Sequence, residues 1–495
     1  MNMKSNENKK KKAITNPFKK FDLSQTNMRG ILRTLRVAVV IFAFLVIVRF
    51  LIGAVNNRSK IYPVVYKKNG GDLVLLHKKN QLELSKEDST NDILYANNTD
   101  RYVLYIKNSS LYLYDAKKKE NITKIISNVR YYYFSSDDKH VVSVDEEGSL
   151  YSYNHKKNEK LVSGIDTVKA VTDKLVVYVK DGSLYTKGLN AKKDDKKKID
   201  KNFGKELSVI DNYLIYIDGN KKLKLYNTKN GQSDVVDNDV SAYYSEKDTK
   251  NFYYLTLDNI LYYYDGNKSI KLETDVYDVS SVDVKNSEVV YSKKEDKYTL
   301  YYKKKSSDSV VIEKDLKNII DYTYIYDNKA IYYVNKDNDL IFVRINGSKV
   351  GKGIKVTSDV EPMTFKRYNN GYIFISDMTK KGLGTLYMTN QYKAKKIDSD
   401  VYSSNIKISS KGNRIYYLKE YENYSGKLYY YNGKSELIDE DVYKYQYLND
   451  KNIYYIKDFS SSKSWGDLYL FNKNKSTRID EEVMGIANVP SEYKN

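Results

Sequence analysis

Few side chains in this sequence are of the kinds that do chemistry, and they are scattered. There is no cysteine, which excludes a thiolate nucleophile, a thiolate metal site and a disulfide framework. Histidine occurs only as His77, His140 and His155, too few and too dispersed for a multi-histidine metal centre. The runs "SSDD" (135–138) and "NKDND" (335–339) have some of the oxygen ligands of a calcium loop. Neither has the full ligand series, and Asp/Asn clusters between strands ordinarily make turns. No G-x-S-x-G, P-loop, G-x-G-x-x-G or H-E-x-x-H pattern is present. The residues therefore predict no enzyme, no cofactor and no metal. The alternative is a carbohydrate-active enzyme, which would need paired carboxylates facing one another across a cleft.

The remaining candidates belong to recognition. The segments "SDMTKKGLGT" from 376, "KEYENYSGK" from 419 and "KDFSSSKSWGD" from 457 hold Lys380, Lys381, Tyr421, Tyr424, Lys463 and the only tryptophan, Trp465. The corresponding segments earlier in the chain are short: "KNSS" at 107, "KDGS" at 180 and "DN" at 258. A hairpin needs only about two to five loop residues, so the excess is not required for folding. Long loops on a rigid scaffold are where recognition concentrates, and Trp and Tyr are typical interface anchors. Those six residues are the predicted binding set. The competing structural reading has Trp465 folding back over its own strands.

The elements that must carry these loops repeat. A leucine followed by tyrosines recurs from "DLVLLH" at 72 through "LYLYD" at 111, "LYYYD" at 261 and "LYYYN" at 428 to "LYLFN" at 468. The leucines are Leu73, Leu111, Leu150, Leu184, Leu223, Leu261, Leu300, Leu340, Leu386, Leu428 and Leu468. A period near 40 is the mark of a repeat fold. Within one period, "IDYTYIYDN", "KAIYYVNKDN", "DLIFVRING" and "KGIKVTSD" are four short runs rich in Tyr, Ile and Val, separated by turn residues. Asp265-Gly266 and Asn432-Gly433 are good hairpin pairs because both tolerate positive φ. Four antiparallel strands per unit predict an all-β fold, a β-propeller of about eleven four-stranded units. The array is either one large ring or two fused propellers. In such a fold the "LYYY" of 261–264 is an inner strand covered on both faces, where tyrosine supplies bulk and a hydroxyl for a polar edge.

The repeat also starts out of phase. "IYPVVYKK", "DLVLLHKK" and "QLELSK" read as second, third and fourth strands without a first, and "EEVMGIANVPSEYKN" reads as the missing first strand. A strand that completes the first blade would hide its edge. The longest leucine-to-leucine step surrounds "DMTKKGLGTLYM", which reads as a loop insertion.

Residues 37–55, "VAVVIFAFLVIVRFLIGAV", form an apolar segment broken by Arg49. As a helix it would rise about 28 Å, close to the hydrocarbon thickness. Residues 1–36 hold ten Lys/Arg and two acids, which places that tail in the cytoplasm by the positive-inside rule. The expected organisation is a basic, mostly disordered tail over 1–36, an uncleaved transmembrane helix over 37–55 and an extracytoplasmic propeller over 56–495. The tail carries +8 and Arg49 one more of the total +20, leaving +11 for residues 56–495. That thin charge predicts no nucleic-acid groove but allows weak, salt-sensitive attraction to an anionic cell-envelope polymer. The expected function is a membrane-anchored binding or scaffold protein with a protein or envelope-polymer partner.

The stretch "IYYLKEYENYSGKLYYYNGKSELIDEDV" (415–442) resembles the repeat of tyrosine-rich, membrane-anchored propeller domains of unknown function in low-GC Gram-positive bacteria. Those are related to TolB-like and low-density-lipoprotein-receptor-type propellers. The resemblance covers most of residues 60–490 through a short degenerate motif, without the YWTD core of the receptor type. It implies fold and anchoring and carries no catalytic residues.

Overall fold

Tyrosine-rich runs become strands because flat aromatic and β-branched side chains fill a pleated, enclosed surface. Counting units by their leucines, unit 6 shows the pattern. Its strands Val240–Ser245, Phe252–Thr256, Leu261–Tyr264 and Ser269–Glu273 pair in that order, each antiparallel to the next. Tyr253 lies opposite Tyr263, Tyr254 opposite Tyr262 and Leu255 opposite Leu261. The Tyr254 and Tyr262 rings stack at 5.1 Å. Every residue of Phe252–Thr256 is buried, so this strand has no solvent face and no reason to alternate. Gly266 and Gly433 both have positive φ, as the hairpin pairs require.

The computed structural model describes residues 63–487, apart from short stretches at 78–79, 87–92, 97, 100, 119–121, 191–194, 248, 317–322, 327–328, 369–370, 410–411, 450–451 and 473. The expected tail (1–36) and transmembrane helix (37–55) lie outside these residues. Among the described residues no helix is long and apolar enough to cross a membrane. From Ile61 onward the chain forms one compact unit, and its described residues are all-β apart from one 3-10 turn at Ser403–Asn405.

Consecutive sheets share cores. Tyr253 and Leu261 of unit 6 pack with Val289 and Tyr291 of unit 7. Val290 and Tyr302 on the other face of unit 7 pack with Ile331 and Tyr333 of unit 8. The same alternation runs along the chain, and the motif leucines Leu261, Leu300, Leu428 and Leu468 are fully buried within it. The strand Lys475–Ile486 pairs with unit 11 over most of its length, then sets Ile486 opposite Tyr66 and Val483 opposite Lys68 of Val64–Lys68. The first unit thus receives its first strand from the far end of the repeat. Val64, Tyr66 and Leu75 share one core with Tyr105 of unit 2 and with Tyr454 and Leu468 of unit 11. Successive four-stranded sheets packed face to face, with the far strand closing on the near sheet, make the organisation propeller-like.

A second device joins the units. Opposite the motif leucine, the fourth strand carries a bulge, as between Leu261/Tyr262, Leu428/Tyr429 and Leu468/Tyr469. A bulge re-aims a side chain, and the residue placed opposite the leucine is an acid: Glu273, Asp439 or Asp480. The acid reaches the second strand of the next unit. Asp439 accepts from the Tyr455 hydroxyl (2.6 Å) and the Lys457 ammonium (2.8 Å). Asp398 does the same with Tyr417 (2.8 Å) and Lys419 (2.6 Å), and Asp480 with Tyr66 (2.7 Å) and Lys68 (2.8 Å). Tyr291 and Lys293 share Glu273. Where unit 9 has Phe374 in place of the tyrosine, the preceding unit has Thr357 in place of the acid. This joint accounts for the placement of many tyrosines.

The longest leucine-to-leucine step has a different origin from the expected loop insertion. The loop between Gly371–Ser376 and Leu383–Asn390 is a short turn closed by Thr379 and Gly382. The added length lies upstream, in the small hairpin that pairs Asn346 with Lys349, and in the bulge between Glu361 and Lys366.

Candidate functional site

The enlarged segments of units 10 and 11 are not loops. They are extensions of the second and third strands. Ile415–Glu422 pairs with Ser425–Tyr431 as far as Glu422 opposite Ser425. Asn452–Ser460 pairs with Trp465–Asn472 as far as Ser460 opposite Trp465. Each extension begins at a residue with positive φ, Glu420 or Asp458, which turns the strand. The next residue then stacks on a tyrosine at the start of the same unit. Tyr421 stacks on Tyr402 at 4.5 Å, and Phe459 on Tyr443 at 3.8 Å. Tyr402 and Tyr443 both follow the Asp-Val of the unit-to-unit turn. That "DVY" signature, also present at 275–277, is legible in the sequence and was missed as a site signal.

The extensions touch one another. The Lys381 ammonium of unit 9 meets Glu422 of unit 10 at 2.6 Å. Tyr424 at the tip of the unit 10 hairpin reaches Tyr443 and Phe459 of unit 11, with ring centroids 6.0 and 6.1 Å apart. The unit 9 turn and the two extended hairpins therefore form one continuous crown. Of the six predicted residues, Lys381, Tyr421 and Tyr424 are joined through these contacts. Lys380 is exposed in the neighbouring turn. Lys463 and Trp465 form their own pair at the unit 11 tip, the ammonium 4.9 Å over the ring, with Trp465 half-buried. Tyr421 is half-buried too, and burial pushes its hydroxyl up to about 12, helped by Tyr443, Tyr402 and Tyr424. It is part of the crown's framework.

Tyr424 differs from the rest. It is 53% exposed, and its φ is 66°, beside Asn423 at 51°. Two successive positive φ values define the type of tight turn that favours Asn-Gly. A tyrosine there is strained and presents its ring outward.

The crown is not basic. Lys381 is neutralised by Glu422, Lys427 by Glu420 and Arg478 by Asp467. The Asp458 carboxyl is pushed up by burial, and Asp441, Asp467 and Asp439 add to the shift against the opposing pull of Lys457. This is a surface of aromatic rings among self-paired charges.

The other candidate residues serve turns and packing. Asn335 of "NKDND" accepts from the Asp337 and Asp339 backbone amides. Asp137 of "SSDD" accepts from Ser135 and pairs with Lys139 at 2.9 Å. His140 meets Ser152 at 3.1 Å, and His155 stacks on Tyr102 at 4.2 Å; burial lowers the basicity of both rings. Among the described residues, Asp200 and Asp218 are two buried carboxylates that approach one another, with the Lys224 ammonium between them at 2.6 and 2.8 Å. Burial would raise the Asp218 carboxyl, but hydrogen bonds from Lys224 and the Lys222 amide hold it below the ordinary range.

No family model matches the chain, and no curated protein matches it. Among solved structures it is similar to the tricorn protease (13% identity, 84% of this chain and 50% of that one, TM-score 0.32). It is also similar to Hsv2 of Kluyvelomyces marxianus (11% identity, 55% of this chain and 97% of that one, TM-score 0.29). A third similar structure is PorZ, a bacterial surface component of the type-IX secretion system of Porphyromonas gingivalis (9% identity, 84% of this chain and 67% of that one, TM-score 0.25). The chain spans about half the length of the tricorn protease. These likenesses are distant in sequence and in superposition, and the fold reading stands on the strand pairing and shared cores of this chain.

Proposed function

We propose that this protein is a membrane-anchored, extracytoplasmic binding or scaffold module whose units close one ring of eleven blades. The hairpin crown of units 9–11 recognises a protein or cell-envelope polymer. The ring count is supported by cores shared between consecutive units and by the core that joins units 11, 1 and 2. Anchoring is supported by the apolar segment 37–55 and the basic residues before it.

The observation that carries the reading is Tyr424. A bulky residue held at positive φ costs on the order of 1 kcal/mol or more, and such strain clusters at ligand-binding positions. Asparagine or glycine would make the same turn without it. Replacing Tyr424 and Trp465 by Ala in the full chain, followed by capture from envelope extract probed for both protein and polysaccharide, tests the crown. Capture should fall while the thermal midpoint stays nearly unchanged, since alanine keeps the turn's positive φ. Intact capture with a strongly lowered midpoint would show that both residues are structural. Protease added to intact protoplasts should degrade the propeller, and its full protection would refute the proposed topology.

A further inference from the structure

Away from the crown, the first strands of the units carry a charge feature that neither the joints nor the hairpins use. Each first strand places one residue opposite the second-strand residue that precedes the joint position. That residue is Leu94 in unit 2, Tyr133 in unit 3, Ala170 in unit 4, Ser208 in unit 5 and Ser281 in unit 7. In unit 11 it is Gln446. Among the described first strands the position is charged in two units only, and they are neighbours. Lys366 lies opposite Ile373 in unit 9, and Lys407 lies opposite Tyr416 in unit 10.

The two lysines lie on one stretch of wall. Lys366 Nζ donates to the carbonyl of Ile406, the residue before Lys407, at 2.9 Å. Among the described residues neither lysine has a carboxylate within ion-pair distance, whereas the joint lysines Lys68, Lys293, Lys419 and Lys457 all do. Lys366 is exposed to solvent along the wall, yet desolvation by the surrounding chain lowers the basicity of its ammonium, and Lys407 lowers it further. Lys444, opposite Ile456 on the first strand of unit 11, is exposed two residues before Gln446, which holds the corresponding position there. Like charges fixed side by side without a counter-charge are unfavourable, and an anion seated between them reverses the sign of the interaction.

We propose that Lys366 and Lys407 form an anion site on the first-strand wall of units 9 and 10, and that it takes a phosphate oxyanion. A tetrahedral phosphate offers separate oxygens to two ammonium donors on different strands, and ammonium is an effective point-charge partner for it. The phosphate belongs either to free inorganic phosphate or to a phosphodiester polymer. The site stands independently of recognition at the crown.

The test uses the full-length chain in detergent, titrated with inorganic phosphate and, separately, with poly(glycerol phosphate) at constant ionic strength. The wild type should bind, and its thermal midpoint should rise with phosphate but not with chloride. Lys366→Gln/Lys407→Gln should weaken binding at least tenfold, Lys366→Arg/Lys407→Arg should retain it, and the remote pair Lys349→Gln/Lys352→Gln should leave it unchanged. Binding of phosphate without the polymer assigns the site to the free ion; tighter binding of the polymer assigns it to a phosphodiester chain. The proposal is overturned if the wild type binds neither probe, or if the double glutamine variant binds as well as the wild type.

Discussion

Units 6 and 11 share the buried leucine, the bulge, the positive-φ turn and the tyrosine–acid joint, and they differ above it. In unit 6 the second strand ends at Thr256 and returns at Leu261. In unit 11 it runs on past Lys457 to Ser460 and returns at Trp465. The joint residues are alike in the two units: Tyr254 bonds to Asp237 at 2.8 Å and Tyr455 to Asp439 at 2.6 Å. The added length of unit 11 contributes Phe459, Lys463 and Trp465, none of which takes part in the joint. What repeats holds the units together, and what does not repeat builds the crown. Variants in the two layers should therefore fail in different ways.

The largest effect is expected in the joint. Asp439→Ala leaves the Tyr455 hydroxyl and the Lys457 ammonium without their acceptor in a part-buried setting. Stability should fall by roughly 2–4 kcal/mol, read as a lower denaturant midpoint at unchanged slope. Glu422→Ala breaks the crown's exposed ion pair with Lys381 and should cost far less, because solvent screens an exposed pair. Equal losses in the two variants would erase the distinction between the layers.

An intermediate effect is expected in acid. Burial alone would raise the Glu273 carboxyl, but bonds from Ser309, Lys293 and Tyr291 bring it down to about 2. A carboxylate whose folded pKa lies below its unfolded value stabilises the fold above the unfolded value, near 4.5. That contribution drains away as pH falls towards about 2. Glu273→Gln should flatten the stability–pH curve across this window. An unchanged curve would mean that the joint carries no charge-dependent stability.

The smallest change is at Tyr424. Tyr424→Gly should relieve the strained turn and raise stability by about 0.5–1 kcal/mol, while capture by the crown is lost. A stability decrease with capture retained would move Tyr424 from the display layer to the structural one.

Much of the lower layer is legible in the sequence. The leucine period fixes the units, the tyrosine runs fix the doubly covered strands, and the out-of-phase start correctly implies that the terminal strand joins the first sheet. The joint acids were harder to see. Asp439 stands two residues before a turn and looks like any turn residue; its role depends on a bulge that sequence spacing does not reveal. Lys366 and Lys407 look like ordinary surface lysines until strand register sets them side by side. The crown's location was readable from segment length. Its electrostatics were not, because Glu422 and Glu420 neutralise lysines through pairings that only the hairpin geometry creates.

The pairing of Lys475–Ile486 with Val64–Lys68 has a consequence for biosynthesis. Tyr66 and Asp480, which meet across that seam, are 414 positions apart in the chain. As the chain emerges residue by residue, the first sheet must wait with a bare edge until the ten units that follow it have been made. During that interval Lys67 and Lys68, which flank the open hydrogen-bonding groups, discourage pairing with strangers, as charged residues do on exposed edges. Completion of the first sheet is therefore a late, long-range event that waits on synthesis of all the units between Tyr66 and Asp480.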